Sequence, residues 1–344
     1  MINFNPSNPG IANGNYFALP YDVEDSEIVF VSAPWDVTTS YGSGSSNGPK
    51  AIIEASLQVD LYDAMILNAW MTRIGTHPID ESLIRKSRKY RKIAEQIIKH
   101  LEEGGELSEV DERIAVVNSG SEELNEYICE ICRGYLNAGK IPAVIGGDHS
   151  TPYGNIKALA EKYEDFGILH IDAHADLRAA YEGFKYSHAS IMFNALNDFS
   201  QISQLTQVAV RDFCQDEADF INTDPRIRCF TDFELKRDLF EGKDWKKKCE
   251  EIIATLPKNV YISFDIDGLS PHLCPNTGTP VPGGLEFREA DYLLWLLATS
   301  GKKIIGFDLC EVAPGGENEW DANVGARILY KLAVYTGFNH KKQQ

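Results

Sequence analysis

An α/β fold built around a mostly parallel sheet is predicted by three observations. Short apolar runs alternate with helical patterns along the 344 residues, the runs are apolar at consecutive positions, and polar clusters follow several of them directly. A strand covered on both faces has no solvated side, so it reads as an unbroken apolar run, as at 141–145, 166–171 and 260–262.

The first strand is read at 28–32. It leads through Ala33-Pro34-Trp35-Asp36-Val37 into a polar, glycine-rich loop from Thr38 to Asn47, and Pro49 suits the first turn of the helix that follows. The loop lacks the Gly-Lys-Ser/Thr ending of a phosphate-binding loop and contains no G-x-G-x-x-G, which argues against nucleotide binding. Residues 81–101 carry Ile93, Ile97 and Leu101 at i, i+4, i+8 among charges. They form a helix, and the basic cluster from Arg85 to Lys92 is its solvated face. After a polar turn at Gly104-Gly105, residues 114–117 read as a short strand, and Ser121 caps a helix over 122–136. Strands at 141–145, 167–171, 207–210, 228–230, 260–264 and 304–308 then alternate with helices at 152–163, 189–196, 243–255, 286–300 and 321–335. No low-complexity linker interrupts them, so residues 1–344 are read as one domain.

Composition narrows the function classes. A formal net charge of −18 repels nucleic acid and anionic membranes and favours a small cationic substrate. No apolar run is long enough for a membrane span, and the first residues have neither a basic stretch nor an apolar h-region, so a cytoplasmic protein is expected. Seven scattered cysteines suit reduced thiols, and Cys129-x-x-Cys132 falls at i, i+3 within a helical pattern, the spacing of a shared buried face.

Three clusters carry the chemistry: Gly146-Gly147-Asp148-His149, Asp172-Ala173-His174-Ala175-Asp176 and Ser263-Phe264-Asp265-Ile266-Asp267. Each follows an apolar run, which places its acids at a strand end, where open α/β sheets bind ligands. In an extended segment Asp172, His174 and Asp176 share one side, as do Asp265 and Asp267. Carboxylates so crowded need a cation. Oxygen and imidazole donors without cysteine suit divalent Mn, Fe, Co or Zn in a two-metal site rather than a structural zinc.

With Gly146-Gly147-Asp148-His149-Ser150, Asp172 to Asp176, Ser263 to Pro271, Gly278-Thr279-Pro280 and Asp308 to Pro314, the chain resembles the ureohydrolase superfamily of arginases, agmatinases and formimidoylglutamases over most of its length. The resemblance implies a three-layer α/β/α fold with two Mn2+ ions per chain, or Ni, Co, Fe or Zn in their place. It implies one ion on His149, Asp172, Asp176 and Asp265, and the other on Asp172, His174, Asp265 and Asp267. Glu311 matches the residue that pairs with the substrate guanidinium, and His188 the histidine that moves a proton to the leaving amine. Asp267 is a candidate proton relay, and His170 and Asp148 are read as supporting residues. The implied reaction is hydrolysis of a guanidino compound to urea and an amine by a hydroxide held between the ions.

Two departures from the family pattern stand out: Ser270 occupies an acidic position, and Leu177-Arg178 follows Asp176 where arginases have asparagine. The motifs are closest to agmatinases, and agmatine is the expected substrate, its distal amine met by Glu182, Glu317 or Glu319. Arg178 would instead draw a carboxylate, as in guanidinobutyrate, guanidinopropionate or formiminoglutamate; arginine and guanidine complete the alternatives, with a single-zinc deacetylase of the same fold more remote. The resemblance also implies a homo-oligomer, trimer or hexamer, and marks 62–113 as a helical insertion.

Overall fold

The computed structural model describes residues 4–316 and 319–343. Among them eight strands form one sheet, all parallel: β1 (Ile28–Ala33), β2 (Ile74–Thr76), β3 (Ile141–Gly146), β4 (Phe166–Ile171), β5 (Ile202–Val208), β6 (Ile227–Phe230), β7 (Asn259–Phe264) and β8 (Lys303–Leu309), in the order β2-β1-β3-β8-β7-β4-β5-β6. The runs are apolar throughout because successive side chains enter two different cores. Phe30, Leu169 and Ile262 face one core with α1 (Gly48–Ser56), α8 (Trp245–Thr255), α9 (Phe287–Thr299) and α10 (Trp320–Gln343). Val31, Ile168 and Tyr261 face the other with α2 (Glu81–Glu102), α3 (Asp111–Asn137), α4 (Tyr153–Lys162) and α5 (Ile191–Asp198). The result is the expected three layers, α/β/α. None of these helices is long and apolar enough to cross a membrane.

Four readings change. Residues 114–117 are helical, within the 27-residue α3: Ile114, Val117, Leu124 and Ile128 fall at helical spacing and pack together in one core, which outweighs the local β-branched run. The strand read at 207–210 lies at Ile202–Val208, held in register by β4 and β6. Strand β2, which pairs Ile74 with Ile28, joins 62–113 to the sheet edge together with α2. Two short helices, α6 (Gln215–Thr223) and α7 (Asp232–Phe240), were not anticipated; α7 opens on a Thr231–Glu234 capping box.

The topology places the site. The chain runs from β3 to β4 across a gap later filled by β7 and β8, a switch in strand order of the kind that opens a crevice at the carboxyl ends. Those ends are level: Ile145 pairs with Leu309, Ile171 with Phe264, and Asp265 bridges to Cys310. The residues just beyond β3, β8, β7 and β4 therefore converge. Gly147 is required in this turn, since a Cβ there would lie 1.9 Å from the Trp35 carbonyl oxygen.

Two glycines test the helical layer. In α4, a Cβ on Gly154 would meet the Asn125 carbonyl oxygen of α3 at 2.4 Å, whereas one on Gly134, exposed on α3, meets nothing within 4 Å. Gly154→Ala should lose about 1–3 kcal/mol in urea unfolding despite alanine's better helix propensity. Gly134→Ala should gain about 0.5–1 kcal/mol.

Candidate metal centre

Each acidic cluster is fixed by backbone geometry before any side chain acts. Asp265 stands at the start of a single helical turn, its Oδ1 accepting the Asp267 N–H at 2.8 Å. Asp267 Oδ1 accepts the Ala173 N–H at 3.0 Å, which ties the β7 cluster to the β4 cluster. Asp176 and Glu311 are held at φ of 54° and 61°. That left-handed backbone costs a non-glycine residue about 1–3 kcal/mol. The surroundings enforce it: the Asp176 carbonyl accepts the Met192 and Phe193 amides at the start of α5, while Glu311 donates its N–H to Gly147 and accepts from Thr277 Oγ1.

Among the described residues three groups of donors are close enough to hold a metal ion: His149, His170, Asp172 and Asp176; Asp172, His174 and Asp267; and His149, Asp308 and Cys310; Asp172 belongs to the first two, and Asp265 approaches the first through His149. In the first, His149 Nδ1 lies 2.9 Å from Asp172 Oδ2, 3.1 Å from Asp176 Oδ2 and 3.3 Å from Asp265 Oδ2. In the second, His174 Nδ1 lies 3.1 Å from Asp267 Oδ2 and 3.5 Å from Asp172 Oδ1. Outer partners set the imidazole orientations, in the manner of metal sites. His149 Nε2 faces Ser263 Oγ at 2.9 Å. Gln207 Nε2 donates to the Ala175 carbonyl and to His170 Nδ1, which leaves His170 Nε2–H to donate to Asp172 Oδ2 at 2.8 Å. His170 thus supports Asp172, as expected, while the parts played by Gln207 and Ser263 were not foreseen. Asp148 caps its own turn, accepting the Ser150 N–H at 3.0 Å, and its Oδ2 faces Thr38. The Ser270 hydroxyl pairs with His272.

This arrangement fits a pair of divalent cations. Nδ1 of His149 offers at most one hydrogen to three carboxylate oxygens, and the buried Asp176 Oδ2 and Glu311 Oε2 have no hydrogen-bond donor among the described residues. Burial and the neighbouring Asp267 and Asp172 charges push the Asp265 carboxyl well above its ordinary range; burial and Asp172 push Asp176 up to about 6. Burial and Asp148 push Glu311 well up. Burial alone would lower both histidines, yet Asp172 and Asp176 lift His149 well above the usual imidazole value, and Asp267 with Asp172 lifts His174 to about 12. Protons occupy the electrostatic niche of a cation.

A cavity of about 160 Å3 opens onto the cluster, lined by His174, Asp176 and His188 and, farther out, by Ser40, Arg178, Tyr181, Asp212, Phe213, Glu217 and Thr279. Burial, with His174 next in weight, lowers the His188 imidazole to about 3, so the ring is neutral near pH 7. Its N–H and Nδ1 face Thr38 Oγ1, while Nε2 makes no hydrogen bond among the described residues. Neither Glu182 nor Glu319 lines this cavity, and Glu317 lies outside the described residues. Instead the acids are Glu217, whose Oε2 stands 3.7 Å from Arg178 Nε, and the exposed Asp212, whose carboxylate has no hydrogen bond or ion pair among the described residues. Arg178 also stacks on Tyr181, 4.7 Å from the ring centroid.

Known proteins share this architecture. An N(1)-aminopropylagmatine ureohydrolase of Thermus thermophilus is 31% identical over 92% of this chain and 92% of its own. An agmatinase of Bacillus anthracis is 28% identical over 85% of each. The crystal structure of agmatine ureohydrolase of Thermoplasma volcanium superposes with a TM-score of 0.71 at 23% identity, covering 97% of this chain and 98% of that one. The arginase-family model matches residues 26–334, a span that takes in every cluster at the strand ends, and the chain is a hydrolase belonging to the arginase family.

Proposed function

We propose that this chain hydrolyses the guanidino group of a small guanidinoalkylamine, agmatine to putrescine and urea, with two Mn2+ ions bound. The carrying observation is Glu311 Oε2, a buried carboxylate oxygen without a donor among the described residues, beside the acidic cluster of a chain of this family. His149, Asp172, Asp176 and Asp265 would hold one ion, and Asp172, His174, Asp265 and Asp267 the other. When bound, such a pair neutralises the carboxylates and supplies an activated water for hydrolysis.

The chain's own groups do the rest. Glu311 Oε1 already accepts the His149 N–H at 3.0 Å, so Oε2 remains to accept a guanidinium N–H and hold the planar carbon over the cluster. Asp267, with Oδ1 on the Ala173 amide and Oδ2 on His174, is placed to relay the proton released as water adds to that carbon. His188 is neutral, with Nε2 unpaired among the described residues, so it would first take up the proton passed on from the adding water and then, as imidazolium, give it to the nitrogen that leaves as the carbon–nitrogen bond breaks.

The cavity mouth favours a distal cation. Arg178 faces Glu217 and stacks on Tyr181, which offsets the positive charge that would draw a substrate carboxylate, and the exposed Asp212 has no ion pair among the described residues. A second reading, N1-aminopropylagmatine, is favoured by the Thermus relative and carries the same distal positive charge.

His188→Ala should lower kcat by about a hundredfold or more with bound metal unchanged. Glu311→Gln should lower kcat/KM by about a hundredfold or more, since a buried pair loses its charge. Urea release at the wild-type rate by either variant contradicts its role. Asp212→Asn, at an exposed site, should raise KM for agmatine by about two- to fivefold and leave guanidinobutyrate no worse. A panel of agmatine, N1-aminopropylagmatine, arginine, guanidinobutyrate, guanidinopropionate and guanidine, with ammonia release from formiminoglutamate, decides the substrate; preference for a carboxylate compound refutes the cationic reading.

A further inference from the structure

Helix α2 does more than cover the sheet. Three residues on one stretch of it touch the loop after β1: the Asp36 N–H donates to Ser87 Oγ, Tyr90 packs against Trp35 at 5.7 Å between ring centroids, and Arg91 reaches over the loop. Nη1 of Arg91 donates to the carbonyl oxygens of both Val37 and Thr39, the two residues flanking Thr38. Its Nε pairs with Glu95 Oε1 at 3.1 Å one turn on, and only 14% of the Arg91 side chain is exposed. That geometry suits a guanidinium, whose fork can satisfy a carboxylate and two carbonyls at once.

What lies between those carbonyls matters to the site. Thr38 is buried; its Oγ1 accepts the His188 N–H at 3.1 Å and stands 3.5 Å from His188 Nδ1, and its N–H and Oγ1 each lie 3.4 Å from Asp148 Oδ2. Two residues on, Ser40 lines the cavity, and Gly42 donates its N–H to the Gly278 carbonyl, where a Cβ on Gly278 would stand 3.6 Å from Glu311 Oε2. The loop thus runs from the cavity lining at Ser40 to the Gly278 segment beside Glu311. Without Arg91 the Val37 and Thr39 carbonyls would lose their donor, and Thr38 would be held only through Asp148 and His188.

We propose that Arg91 is a positioning residue: by clamping the carbonyls of Val37 and Thr39 it sets Thr38, and through Thr38 the imidazole of His188. This rests on the part given to His188 above. Arg91→Met keeps the stem and removes the donors, while Arg91→Lys keeps donors of the same charge. In urea release from agmatine, or from whichever panel compound the wild type prefers, Arg91→Met should lower kcat by about ten- to hundredfold, with KM and bound metal little changed. Arg91→Lys, with donors but no fork, should fall between the wild type and Arg91→Met. Amide hydrogen exchange gives a readout independent of turnover: in Arg91→Met, peptides covering 36–44 and 186–190 should exchange faster while those of β3 and β7 keep their protection. Wild-type kcat and wild-type exchange in Arg91→Met overturn the proposal. If the wild type hydrolyses no compound of the panel, the reading of His188 fails, and exchange alone decides whether Arg91 clamps the loop.

Discussion

Electrostatic repulsion among Asp172, Asp176, Asp265, Asp267 and Glu311, all buried at one sheet edge, is the constraint on which the rest depends. Taking an ionised carboxylate out of water costs several kcal/mol, and here several share two imidazoles. No set of hydrogen bonds inside the cluster meets that demand, because His149 Nδ1 has one hydrogen for three oxygens, and Asp176 Oδ2 and Glu311 Oε2 have no donor among the described residues. Divalent cations held there would resolve it. The strained backbones of Asp176 and Glu311 point the same way, since left-handed conformations at two acids persist only where the surroundings impose them.

The scaffold exists to hold those charges level. Four adjacent parallel strands end in register, so residues 94 and 114 positions apart in sequence arrive within hydrogen-bonding distance, Ala173 on Asp267 and His149 on Ser263. Rigid strand ends carry the acidic clusters, whereas the cavity beside them is lined from the segments between: Ser40, Tyr181 and Asp212 lie on connections and Glu217 in the first turn of α6, 3.7 Å from Arg178.

Much of this was legible in the sequence because the signals are local. An apolar run followed at once by Asp-x-His-x-Asp or Asp-x-Asp identifies a buried strand and its functional end together, and both clusters stand where that pattern put them. Signals that depend on partners were not legible. Ile114 to Val117 has a β-branched composition and becomes helical only because its apolar face packs with α2 and α4. Strand β2 is three residues long and is a strand only beside β1. Gln207 and Asp212 carry no motif, and Ser263 stands in one without a part of its own there; each acquires its part from a neighbour in space, His170, the cavity and His149 respectively. Arg91 sat within a basic run that reads as solvated, and most of that run is; one turn of it faces inward.

The central claim is that these carboxylates are tolerated because two divalent ions join them. Titrating Mn2+ into metal-stripped protein, with thermal melting followed in parallel, tests it most directly. The account predicts saturation at two ions per chain and a melting temperature that climbs with Mn2+ concentration, because only the folded chain presents the assembled ligands. Stripped protein that melts at the same temperature with and without Mn2+, and takes up none, would contradict it.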